Sequence, residues 1–173
     1  MKDKKVSIED LALIREFPYS CLDNCVLDDP QIAAEEMIDF SNYGVKTIIE
    51  VTAWNCCRLP ELLYQVSRES NIQIIMGTGL YLEWSHPEWV KEKDEEEIAN
   101  ILIQEIEQGI QINGAPSIKP GIIGEIGISK SFTAAEKKSL IAACKAQLRT
   151  GLPITIHLPA WERFGNRVVD TCE

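Results

Sequence analysis

Four short runs of β-branched, almost wholly apolar residues recur along the chain, at 46–52, 72–78, 121–128 and 153–158. Each is separated from the next by a segment with helical periodicity. A strand that is apolar on both faces has to be covered on both faces, as in a parallel sheet. The intervening segments supply the cover. Asp29 is an N-cap candidate with Pro30 at the first helical position. Ile32, Ala33, Met37 and Phe40 follow at helical spacing, and Gly44 closes the segment. Residues 60–70 carry Leu62, Leu63 and Val66 on one face. Residues 95–110 place Ile98, Leu102 and Ile106 inward behind an acidic first turn, where the helix dipole favours negative charge. Thr133 with Glu136 forms a capping box, and Gly151 ends that helix; a last helix starts from Glu162 and is cut off at Glu173.

Strands alternating with helices predict a parallel α/β sheet with right-handed crossovers. Open doubly wound sheets and closed barrels share that signature, so the pattern alone leaves both standing. Ahead of the first helix–strand unit, residues 11–16 read as a short helix and 17–28 as an irregular loop. Residues 114–120 are a turn-rich connection.

Composition narrows the partners. Of 173 residues, 45% are hydrophobic and 25% charged, a globular balance, and the formal net charge is -10. That charge repels phosphate backbones and anionic lipid heads, so nucleic acid and membrane surfaces are not expected as partners. The first ten residues are charged and lack the apolar core of a signal peptide. The expectation is therefore a cytoplasmic protein whose cysteines, Cys21, Cys25, Cys56, Cys57, Cys144 and Cys172, are free thiols. Cys21 and Cys25 have a spacing compatible with half a zinc site, but no paired motif accompanies them, and ordinary packed or surface cysteines explain them better. No glycine-rich phosphate loop follows a strand, which leaves nucleotide binding without support.

Two residues stand out chemically. Glu125 sits inside an apolar strand, flanked by Gly124 and Gly127. A carboxylate there must be paired, protonated or bound to a cation, because burying it bare costs several kcal/mol. The glycines leave room beside it. His157 ends the next strand, so in a parallel sheet the two sit at neighbouring C-terminal ends. Carboxylate and imidazole together suit Zn²⁺ or a similar divalent ion. The plainer readings are a structural ion pair for Glu125 and a hydrogen-bonded core histidine for His157.

The run Gly-Ile-Ile-Gly-Glu-Ile-Gly at 121–127, a Thr-capped helix, and Thr-Gly-Leu-Pro-Ile-Thr-Ile-His at 150–157 resemble the phosphotriesterase-related family of the amidohydrolase superfamily. Residues 44–52, Arg58 and the Gly-Thr-Gly-Leu-Tyr run at 77–81 fit the same pattern in the same order. The resemblance implies a (β/α)₈ barrel of TIM type with its centre at the strand C-termini. It also implies two divalent metal ions, usually zinc, bridged by a carboxylate. Glu125 matches that bridge, His157 matches the histidine ligand of the fifth barrel strand, and Tyr81 matches an aromatic position near the substrate. The substrate implied is a small molecule with an ester, lactone, amide or phosphoester bond.

Departures from the family pattern shape the remaining expectations. The His-x-His pair of the first barrel strand, a later histidine and a later aspartate have no counterpart in 1–173. Of 2 histidines only His157 fits a ligand position; His86 reads as a loop residue. Glu50 reads as a neighbour of the site rather than a ligand, 94–97 as a solvated helix start, and Arg163 as a surface arginine. Cys56 and Cys57 stand where relatives carry glycine. The chain is thus expected to be a single incomplete barrel domain of about four parallel strands, inactive alone. A second expectation is an assembly module that pairs with other barrel pieces or self-associates through exposed barrel edges.

Overall fold

The computed structural model describes residues 4–26, 28–160 and 162–172. Helices α1 (Leu11–Glu16) and α2 (Pro30–Asn42) lead into β1 (Thr47–Glu50), α3 (Pro60–Ser70) and β2 (Gln73–Thr78). There follow α4 (Trp89–Glu92), α5 (Glu95–Gln108), β3 (Ile122–Gly127), α6 (Ala134–Thr150), β4 (Ile154–His157) and α7 (Gly165–Cys172). The four strands form one parallel sheet in the order β1-β2-β3-β4. That order decides between the two architectures left open by the sequence. A doubly wound sheet reverses its strand order partway, whereas a barrel adds each new strand on the same side of the last. The chain winds one way only, as half of a barrel does.

Local chemistry explains where the elements begin. Asp29 caps α2 by accepting from the amides of Gln31 (2.9 Å) and Ile32 (3.4 Å), ahead of Pro30 at the first helical position. The acidic run before α5 is a reciprocal capping box: Asp94 accepts from the Glu97 amide (2.8 Å) and Glu97 from the Asp94 amide (3.0 Å). Thr133 and Glu136 make the same box at α6. Gly151 ends α6 at φ +73°, a left-handed turn that glycine adopts without steric cost.

The main core lies between β3, β4 and helices α5 to α7. Leu102, Ile106, Ile123, Ile126, Leu140, Ala143, Ala146 and Val168 are buried there. Ala142, Ala143 and Ala146 are wholly buried on α6, and their small side chains let α5 pack closely against it. A second cluster joins Leu80, Val90, Ile98 and Ala99 to Ala142, with Trp54 and Trp89 stacked edge to face against it.

Three expectations change. The segment after α1 is not irregular throughout, since 3₁₀ turns form at Pro18–Ser20 and Leu22–Asn24. The last helix starts at Gly165 rather than Glu162; Glu173, its expected limit, lies outside the described residues. The 114–120 connection is held by an antiparallel bridge between Ile110 and Ile118, with their backbone groups 2.8 and 2.9 Å apart. No helix is long and apolar enough to cross a membrane among the described residues.

Candidate active site

The C-terminal ends of β2, β3 and β4 carry Tyr81, Glu125 and His157 to one place. His157 is the register partner of Gly127 on β3. Between Ile123 and Ile126 the β3–β4 register slips, and Glu125 sits in that irregularity. A bulge of this kind re-aims a side chain that a regular pleat would turn elsewhere. Here the Glu125 amide donates to the Val51 carbonyl beyond β1 (2.9 Å). Its carboxylate Oε1 lies 3.6 Å from His157 Nδ1, and the two side chains are 33% and 39% exposed. Both therefore face open space rather than the apolar core.

Glycines make this convergence fit. A Cβ on Gly127 would fall 2.3 Å from the Leu82 nitrogen and the Tyr81 carbonyl carbon, so the loop after β2 can lie against β3 only if residue 127 has no side chain. Gly79 is also tight, its absent Cβ 2.8 Å from the Gly124 Cα. Held this way, Tyr81 Oη lies 3.2 Å from His157 Nε2 and 3.4 Å from Nδ1, and the two rings meet edge to face at 4.9 Å. Burial first, and then the negative charge of Glu125, push the Tyr81 phenol above its ordinary range, so it remains a protonated donor.

Residues outside this trio fix the surrounding loops. His86 Nε2 donates to the Tyr81 carbonyl (2.9 Å), which places its proton on that nitrogen; burial lowers its pKa, and its buried Nδ1 has no partner among the described residues. His86 is thus a loop anchor, as its position suggested. Glu136 is buried and accepts from the Ser129 amide (3.1 Å) and hydroxyl (2.8 Å), the Thr133 amide (3.1 Å) and the Glu83 amide (3.4 Å). One carboxylate so ties the loop after β2 to the loop after β3. Arg58 forms a bidentate pair with Glu105, both bonds 2.9 Å, while its guanidinium covers the Trp54 ring at 4.5 Å. Arg58 therefore clamps the loop after β1 to α5 and is not available to a ligand. In that loop Asn55 and Cys57 both have φ +60°, the left-handed conformation that glycine adopts most readily.

A cavity of about 740 Å³ opens beside Glu125, lined by Tyr19, Glu50, Thr52, Cys56, Tyr81 and Trp84 among others. Tyr19 and Trp84 are the residues that sequence reasoning missed. Both are well exposed, at 78% and 77%, and both came from segments without periodicity to mark them. Glu50 edges the same cavity; one carboxylate oxygen is turned onto Thr52, and the other is buried without a partner among the described residues. Arg163 is exposed. Cys21 is buried and donates to the Lys4 carbonyl (3.1 Å), and Cys25 donates to the Cys21 carbonyl (3.3 Å), an arrangement of packed thiols rather than of converging ligands.

Does this donor set fit a metal? One imidazole nitrogen and one carboxylate oxygen 3.6 Å apart can both reach a single ion at ordinary bond lengths of about 2.0–2.2 Å. The pair fits as part of a ligand shell. No group of three or more His, Cys, Asp or Glu side chains converges among the described residues, so Glu125 and His157 are the two candidate ligands there.

Comparison with known proteins agrees with the half-barrel fold. The model of the phosphotriesterase family matches residues 2–169. A Dictyostelium discoideum protein named N-acetyltaurine hydrolase is 43% identical over 157 residues, covering 91% of this chain and 42% of that protein. The phosphotriesterase homology protein of Escherichia coli is 37% identical over 135 residues, covering 78% of this chain and 45% of its own length. The crystal structure of a resiniferatoxin-binding protein from Rhodobacter sphaeroides superposes with a TM-score of 0.91 at 37% identity, covering 98% of this chain and 47% of that one. This chain therefore spans less than half the length of these relatives.

Proposed function

The chain belongs to the phosphotriesterase family, and from that premise we propose that it supplies four β/α units of a metal-dependent hydrolase. The substrate class proposed is a small molecule with an ester, lactone, amide or phosphoester bond; the amide case has a relative named for N-acetyltaurine. The observation that carries the reading is the meeting of Glu125 and His157 at adjacent strand ends, 3.6 Å apart beside a cavity.

In this reading Glu125 and His157 hold a divalent ion, with Zn²⁺ the proposed metal. Such an ion, when bound, lowers the pKa of a water and polarises a carbonyl or phosphoryl oxygen. Tyr81 keeps its phenolic proton, accepts a hydrogen bond from the His157 Nε2–H when Nδ1 holds the ion, and offers its own proton to a substrate oxygen on the cavity side. Tyr19, Tyr81 and Trp84 give that side an aromatic wall suited to an apolar acyl or leaving group. Two protein ligands fall short of the three that catalytic zinc sites use, so we propose that this half-barrel does not turn over substrate alone.

Calorimetric titration with Zn²⁺ tests the site. Binding by the chain that is lost in both Glu125→Gln and His157→Ala supports it; equal binding by all three proteins overturns it. Assays with added Zn²⁺ or Mn²⁺ on ester, lactone and phosphotriester substrates test the inactivity. Turnover that disappears in Glu125→Gln would keep the ligands and refute the inactivity.

A second reading is favoured by the sheet edges. Neither β1 nor β4 has an outer strand neighbour among the described residues, and Ile49 on β1 is 56% exposed. An assembly role predicts self-association through these edges. Elution as a clean monomer in size-exclusion chromatography would count against it. The thiols are all free, which suits the cytoplasmic location proposed for this protein.

A further inference from the structure

The proposed hydrolytic site leaves one reactive pair unused. Cys144 on α6 packs, partly buried, against the core cluster that also holds Val168 of α7. Cys172 lies one helical turn beyond Val168 and so falls on the face of α7 that meets α6. The packing of α6 against α7 brings the two thiols to the same helix–helix contact, and both are free. Their surroundings differ. Cys172 is exposed, whereas burial, and then the neighbouring Cys172, push the Cys144 thiol up to about 12. Thiolate rather than thiol is the nucleophile, so the exposed partner reacts first and the sheltered one second.

We propose that Cys144 and Cys172 form a reversible dithiol–disulfide site whose oxidant is a small-molecule disulfide of the glutathione type. The Cys172 thiolate attacks one sulfur of that disulfide, forming a mixed disulfide and releasing one small thiolate. Cys144 gives its proton to water or buffer, and its sulfur attacks the Cys172 sulfur. The Cys144–Cys172 bond forms, and the second small thiolate leaves. Two protein thiols are oxidised by two electrons, and the small disulfide is reduced to two thiols. The bond pins α7 to α6 and closes a loop that contains β4 and His157.

The test uses the full chain, treated with oxidised glutathione and then digested with trypsin without reductant. Peptides 139–145 and 168–173 should appear linked, and reductant should separate them. The oxidised chain should melt about 5–10 °C higher, as expected for a cross-link over a loop of this size. Cys144→Ser should stop at a glutathione adduct on Cys172, and Cys172→Ser should give no link to Cys144. A chain with Cys21, Cys25, Cys56 and Cys57 changed to serine should still form the bond, which excludes exchange through the other thiols. Links that join other cysteines, or a wild-type chain that keeps glutathione on Cys172 without closing, would overturn the proposal.

Discussion

Replacing Arg58 by methionine should destabilise the chain more than any surface change. Its guanidinium makes two 2.9 Å bonds to Glu105, and the two side chains are only 9% and 14% exposed. Solvent screens such a pair weakly. Methionine keeps much of the volume and the contact with Trp54 but leaves the Glu105 carboxylate with the Thr78 hydroxyl as its remaining neutral donor. Breaking a buried pair from one side costs about 3–5 kcal/mol, because an uncompensated charge stays behind. The lost cation–π contact adds about 1 kcal/mol. Arg58→Met should therefore lower stability by about 4–6 kcal/mol in urea denaturation followed by tryptophan fluorescence. The double change Arg58→Met with Glu105→Leu removes the charge as well and should recover most of that loss, since a well-packed apolar pair often replaces a buried ion pair without cost. The loop carrying Cys56 should also loosen in the single variant, seen as faster labelling of that thiol. A single-variant loss under about 1 kcal/mol, or a cycle with no coupling between the two positions, would refute the clamp.

Gly127→Ala should destabilise by about 3 kcal/mol, because the new Cβ meets backbone atoms of Tyr81 and Leu82 that cannot yield without moving the loop; thermal melting checks this. Glu136→Gln should cost more than Thr133→Ala, which removes only a cap worth about 1 kcal/mol, since the glutamate serves four donors on three residues; an equal loss in denaturant would contradict that role. In ultraviolet titration one tyrosine should ionise above the others, and Glu125→Gln should bring it partway down. The sign for stability follows from linkage: the folded chain holds this proton more tightly, so the contribution is complete below the unfolded-state value and is lost as pH rises through the higher folded-state one.

The sequence by itself determined the elements and most of their ends. Periodicity and caps at Asp29, Asp94 and Thr133 act within a few residues of chain, so they are written locally. The family, too, was legible, because its glycines and strand-end residues keep their order along the chain. Tertiary structure alone decided what those residues meet. No local pattern marks the slip in register at Glu125, which arises where β3 is fitted between two neighbours. Gly124 and Gly127 looked like room beside a carboxylate; in three dimensions Gly127 is the place where a second backbone passes. Tyr19 and Trp84 reach the cavity from segments without periodicity, and the pairing of Arg58 with Glu105 spans elements far apart in the chain. Contacts of that kind depend on the packing of helices against the sheet, which a linear pattern does not encode.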